Sequence, residues 1–181
     1  MTVATTSSKN TRTGSERPRA ETMGQDIHPK LNLPVSDFAV RKRDSKDEIF
    51  DTIRNQWLVL TPEEWVRQHM VRYLIDHLGY PAGLTAIEKG FDLNGIPYRA
   101  DIVTYDHSGS ALLAVECKAP GIRINQKTFD QIGQYNKVIR AHHLAVTNGL
   151  THYCVSIGKR GQWAQADTIP AFAKHEESEG K

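Results

Sequence analysis

The sequence has little cysteine, no long apolar run and almost no net charge, and each shortage closes off a class. Two cysteines, Cys117 and Cys154, are too few for a disulfide framework or, by themselves, a zinc site. Both sit in apolar, strand-like runs, which reads as two small reduced core residues of a cytoplasmic protein. His142, His143 and His152 have no partner at zinc-ligand spacing and read as surface or packing residues. No stretch approaches the ~18 apolar residues of a membrane span, so no membrane partner is expected. A Gly-x-x-x-x-Gly-Lys-Ser/Thr loop is also missing, so no ATP site is expected. Net charge is only +2. Residues 1–30 carry five Lys or Arg and three acids, which leaves the remainder neutral. Any surface for a polyanion must therefore be a local patch.

A chain of 181 residues suits one domain with one core. Residues 1–30 are rich in Ser, Thr, Gly and charge, and are expected to be a disordered tail without the apolar centre of a signal peptide. Met23 is an alternative start, which leaves open whether residues 1–22 are native. Residues 31–173 are expected to form a single domain, with 31–60 a β-rich extension and 61–160 the core. Residues 174–181 read as a polar tail.

In the extension, Phe38-Ala39-Val40 and Ile49-Phe50-Asp51 flank a charged turn over 41–48, which predicts a hairpin. A short strand follows over 57–60. Thr61 is a good N-cap, Pro62 suits the first helical position and Glu64 completes a capping box. Val66, Met70, Leu74 and Leu78 then give a helix one buried stripe until Gly79. Strands are predicted over 85–93, 96–105 and 111–118. Asn94 and Gly95 form the first turn and residues 107–110 the second. The third strand is nearly all apolar, hence central. A second helix is expected over 128–142, with Phe129, Ile132 and Ile139 on its apolar face. Strands over 144–147 and 152–157 complete an α/β (α+β) fold, a mixed sheet flanked by helices.

These turns fix which residues face each other. If Ser108 and Gly109 make a two-residue turn, Asp101 lies opposite Glu116, and Lys118 points to the same face. If Asn94 and Gly95 do the same, Glu88 lies opposite Asp101, although Pro97 could shift that pairing with a bulge. Acids on neighbouring strands repel unless they share a proton or bind a hard cation. Oxygen ligands suit Mg²⁺, with Mn²⁺ as a substitute. Such an ion neutralises phosphate charge and acidifies a bound water, and Lys118 could orient that water or steady transition-state charge. An ordinary ion pair would explain Lys118 with Glu116 alone. Their place inside an apolar strand, with an acid facing them, favours a functional site. The chemistry is that of metal-dependent phosphodiester cleavage.

Asp101 with Glu116-Cys117-Lys118 resembles the PD-(D/E)XK nuclease superfamily. Residues 61–149 are similar to the N-terminal nuclease domain of type I restriction enzyme R subunits, and residues 31–60 more loosely so. The pieces that carry this are Thr61-Pro62-Glu63-Glu64-Trp65-Val66-Arg67, Glu88-Lys89-Gly90, Arg99-Ala100-Asp101-Ile102-Val103, Val115-Glu116-Cys117-Lys118-Ala119-Pro120 and Thr147-Asn148-Gly149. Ala100 stands where the superfamily often has proline. The resemblance implies a restriction-endonuclease-like α-β-β-β-α-β core and Mg²⁺-dependent DNA cleavage. It implies that Asp101, Glu116 and the main-chain carbonyl of Cys117 bind the metal while Lys118 works with the attacking water. Gln131 and Tyr135 match the Gln-x-x-x-Tyr motif of the RecB-like branch and share a helix face. With no phosphate-binding loop in the sequence, a stand-alone form without the helicase motor is expected.

Glu64 is a further candidate ligand, which its capping position would explain equally well. Arg67, Arg99, Lys127 and Arg140 are candidate phosphate contacts, though solvated charge is commoner at such positions. The leading reading is a DNA endonuclease. Two alternatives stay open: a catalytically inactive nucleic-acid-binding or scaffold module of the same fold, and a repair or junction-resolving nuclease. A homodimer or restriction or repair partner subunits fit these readings.

Overall fold

The computed structural model describes residues 29–172 apart from 94 and 159. Of the expected tails over 1–30 and 174–181, residues 1–28 and 174–181 lie outside the described residues, as does Asn94 of the first turn.

Three strands open the fold. β1 (Val40–Arg43), β2 (Lys46–Asp51) and β3 (Gln56–Val59) form an antiparallel sheet in that order. The predicted hairpin is there, but its turn is tighter than 41–48. Arg41 already pairs with Glu48, and Asp44 and Ser45, both at positive φ, make the reversal. α1 (Pro62–Arg72) starts as expected: Thr61 Oγ1 accepts the Glu64 N–H at 3.1 Å. Val66, Met70 and Leu74 are fully buried. The helix does not run on regularly to Leu78. Residues Tyr73–His77 form a π-helical turn, closed by the Leu78 N–H on the Tyr73 carbonyl at 3.2 Å.

The main sheet has six strands in sequence order: β4 (Thr85–Leu93), β5 (Ile96–Tyr105), β6 (Ala111–Cys117), β7 (His143–Thr147), β8 (His152–Ile157) and β9 (Trp163–Ala166). β6 and β7 run parallel, joined through α2 (Gln126–Ile139); the other neighbours are antiparallel. The sequence from α1 to β7 is thus α-β-β-β-α-β, a mixed α+β core. β6 is central and all seven of its residues are buried. Its side chains divide between two cores: Leu112, Leu113, Val115 and Cys117 join α1 and the extension, while Ala111 and Ala114 join α2. Both cysteines are free and buried.

The register next to the acids is the expected one, for a different reason. Ile102 pairs with Val115 and Thr104 with Leu113. The turn is not the two-residue one: Asp106 N–H bonds the Ser110 carbonyl across a three-residue loop, and a bulge between Thr104 and Tyr105 restores the alignment. On the other side, Pro97 causes no shift, since Asp92 pairs with Pro97 in the same register as Ile87 with Ile102. The irregularity falls at Glu88 instead, whose φ of 50° takes it out of the ladder.

Candidate active site

β5 and β6 carry Asp101 and Glu116 to the same end of the sheet, one step past the Ile102–Val115 pair. Asp101 is 8% exposed and Glu116 4%. Asp101 Oδ2 accepts the Cys117 N–H at 2.7 Å, which binds the first acid to the main chain beside the second. Lys118 follows β6 directly. Its N–H donates to the Thr147 carbonyl at 2.8 Å, which ties it to β7, and its Nζ donates to Glu116 Oε1 at 2.6 Å.

The electrostatics are those of a crowded, desolvated acid pair. Burial pushes the Glu116 carboxyl up to about 7, and the neighbouring Asp101 charge adds to this against the pull of Lys118. Burial alone would lower Lys118, but its hydrogen bond to Glu116 and the charge of that group prevail and raise it, so the side chain is an ammonium. From α2, Gln131 Nε2 donates to the same Oε1 at 3.0 Å and also reaches the Tyr135 hydroxyl at 2.5 Å. Both bonds to Glu116 fall on Oε1. Tyr135 is buried with its ring 5.1 Å from that of Tyr98.

Of the remaining sequence candidates, Glu88, Glu64 and Arg67 meet in one cluster of ion pairs. Glu88 is level with Asp101 in the register but shares Arg67 with it. It leaves the ladder and joins an arginine cluster, contacting Arg54, Arg99 at 3.1 Å and Arg67 at 3.8 Å. Glu64 does not close a capping box: its carboxylate takes Arg67, Gln68 at 2.8 Å and Arg54 at 3.4 Å, while the Thr61 N–H goes to the Val59 carbonyl. Arg67 is 5% exposed and lies among carboxylates, with Nη2 on Asp101 Oδ1 at 2.8 Å, where no phosphate contact from the surface reaches. Burial alone would lower its pKa; the charges of Asp101 and Glu64 prevail and raise it. Arg99 is exposed on its pair with Glu88. Lys127 and Arg140 are exposed at opposite ends of α2, about 20 Å apart at a helical rise of roughly 1.5 Å per residue. Among the described residues, no three His, Cys, Asp or Glu side chains group so as to hold a metal ion. Nor is any helix among them long and apolar enough to cross a membrane.

The family model of the type I restriction enzyme R protein N terminus (HSDR_N) matches residues 62–170, more than half of the chain. The chain belongs to this family. A search of the curated proteins finds no match. A solved fragment assigned to an HsdR subunit of a type I restriction enzyme from Vibrio vulnificus YJ016 is similar in structure, with a TM-score of 0.47 and 17% identity. The similarity covers 67% of this chain and 26% of that one, so the chain spans about a quarter of that fragment.

In this R-protein N-terminal domain, the sequence reading missed Arg54. It lies in the β2–β3 turn, ahead of the matched region, and pairs with Asp51, Glu64 and Glu88. An acid three residues before an arginine is too common a pattern to announce such a role.

Proposed function

We propose that this domain is a Mg²⁺-dependent nuclease of the PD-(D/E)XK type, hydrolysing DNA phosphodiester bonds. The observation that carries the reading is the juncture of two buried carboxylates, Asp101 and Glu116, with the Lys118 ammonium on one of them. Two acids so placed, one with its pKa pushed to about 7, fit a shared hard cation. Asp101, Glu116 and the main-chain carbonyl of Cys117 would hold it, and Mn²⁺ would substitute. When bound, it supplies charge neutralisation at phosphate and an acidified water. Lys118, held as an ammonium, acts as a hydrogen-bond donor to water or phosphate rather than as a base. Gln131 orients Glu116, and Tyr135 steadies Gln131. Membership of the R-protein family supports DNA as substrate, partner restriction subunits and a cytoplasmic setting.

One observation favours a second reading. Arg67 places a built-in cation on Asp101, as a catalytically silent binding module would need. Incubation of supercoiled plasmid with the protein and Mg²⁺ or Mn²⁺, beside Asp101→Ala and Lys118→Ala, separates the two. Nicking by the wild type alone supports the nuclease. Equal inertness of all three, with equal DNA binding, leaves the binding module.

A further inference from the structure

Asp101 is reached by a relay of charges that begins in the N-terminal extension. Asp51 Oδ1 accepts the N–H groups of Ile53 and Arg54 at 2.8 and 2.9 Å, and its Oδ2 takes Arg54 Nε at 2.6 Å. This holds the Arg54 fork in one orientation. The other two nitrogens of Arg54 reach Glu88 and, at 3.4 Å, Glu64. Glu64 in turn takes Arg67, which meets Asp101 at 2.8 Å. Glu88 adopts its left-handed backbone at this point, a conformation that costs a non-glycine residue and must be held by its surroundings.

The charges give the relay a purpose. Six carboxylates (Asp51, Glu63, Glu64, Glu88, Asp101 and Glu116) face four cations, Arg54, Arg67, Arg99 and Lys118. The surplus is two negative charges, which one divalent cation neutralises. Without Arg54, Glu64 and Glu88 would both draw on Arg67 and pull it from Asp101.

We propose that Arg54 is a positioning residue for Asp101, acting through Glu64, Glu88 and Arg67, so that the extension is a working part of the metal-binding end. This rests on the reading of Asp101 as a metal ligand. The test compares Arg54→Met and Arg54→Lys with Trp57→Ala. Trp57 lies in β3 under Arg41, outside the relay, and its loss weakens the extension alone. Two readouts are taken on the full chain: exchange of the Cys117 amide, which Asp101 holds, without metal, and Mn²⁺ affinity by calorimetry. Arg54→Met should speed Cys117 exchange relative to Leu113 and Ala114 and weaken Mn²⁺ binding about 10- to 100-fold. Arg54→Lys should recover part of both, and Trp57→Ala should leave both unchanged at equal loss of melting temperature. Wild-type exchange and affinity in Arg54→Met, or equal losses in Trp57→Ala, would overturn the proposal. Mn²⁺ binding that survives Asp101→Ala unchanged would instead sink the metal reading, while Cys117 exchange still reports whether Arg54 holds Asp101.

Discussion

Glu116 and Lys118 stand two residues apart at the end of β6, joined at 2.6 Å on the oxygen that Gln131 also holds. That shared oxygen links the strand, the loop after it and α2, and it makes Glu116 the most sensitive group of the site.

Its pH dependence has a definite sign. The folded carboxyl titrates near 7 against an ordinary 4.5, because burial and then Asp101 disfavour its charge. The folded state therefore binds the proton more tightly. Its stabilisation is fully present below about 4.5 and is lost as pH rises to about 7, by about 3 kcal/mol. Glu116→Gln removes this loss. Metal-free Glu116→Gln should be more stable than wild type at pH 8, with the gap narrowing towards pH 5. Denaturant unfolding in chelator checks it; parallel pH profiles for the two proteins would show that Glu116 is not perturbed.

Lys118→Met should separate binding from chemistry. Removing a donor aimed at developing charge costs about 10²–10³-fold in rate. Metal affinity should stay the same or tighten, because a competing cation leaves Glu116. Cleavage rates and Mn²⁺ titration read the two effects; a parallel fall in both would make Lys118 a structural ion pair.

Gln131→Ala frees Glu116 from α2. It should slow cleavage about tenfold and lower stability by about 1 kcal/mol, the ordinary worth of such a hydrogen bond. Tyr135→Phe, one bond further out, should do less to the rate. Single-turnover cleavage orders the two, and a larger loss for Tyr135→Phe would make the tyrosine the direct contact.

Gly149 tests the fold behind the site. Its φ is +80°, and an added Cβ would meet Leu31 Cδ2 at 2.7 Å and Val66 Cγ2 at 3.0 Å. Gly149→Ala should cost about 2–4 kcal/mol through the left-handed backbone and the overpacking together. Thermal unfolding measures it, and a neutral effect would mean that the Leu31 segment yields freely.

Much of this was legible because the signals are local. Alternation and turn residues place β4 and β5 to the residue, and Thr61 with Pro62 places the start of α1. The acid pair follows from the register, although a bulge and a longer loop cancel to produce it. What stayed hidden depends on distant partners. Arg67 looks like a surface residue of a helix until Asp101, Glu64 and Glu88 close around it. The left-handed turn at Glu88 belongs to the same cluster, and nothing in its neighbours signals it. β9 is short and mostly exposed, and Trp163 sits over Gly133 of α2, where a Cβ would be 2.8 Å from the ring. Only the missing side chain at position 133 makes room for it.

As proposed, Asp101, Glu116 and the Cys117 carbonyl share one divalent cation. Anomalous scattering from crystals grown with Mn²⁺ tests it most directly. One peak is expected about 2.1 Å from an oxygen of each carboxylate, within reach of the Cys117 carbonyl. Density without a peak there, with Arg67 still closed on Asp101 at saturating Mn²⁺, would contradict it.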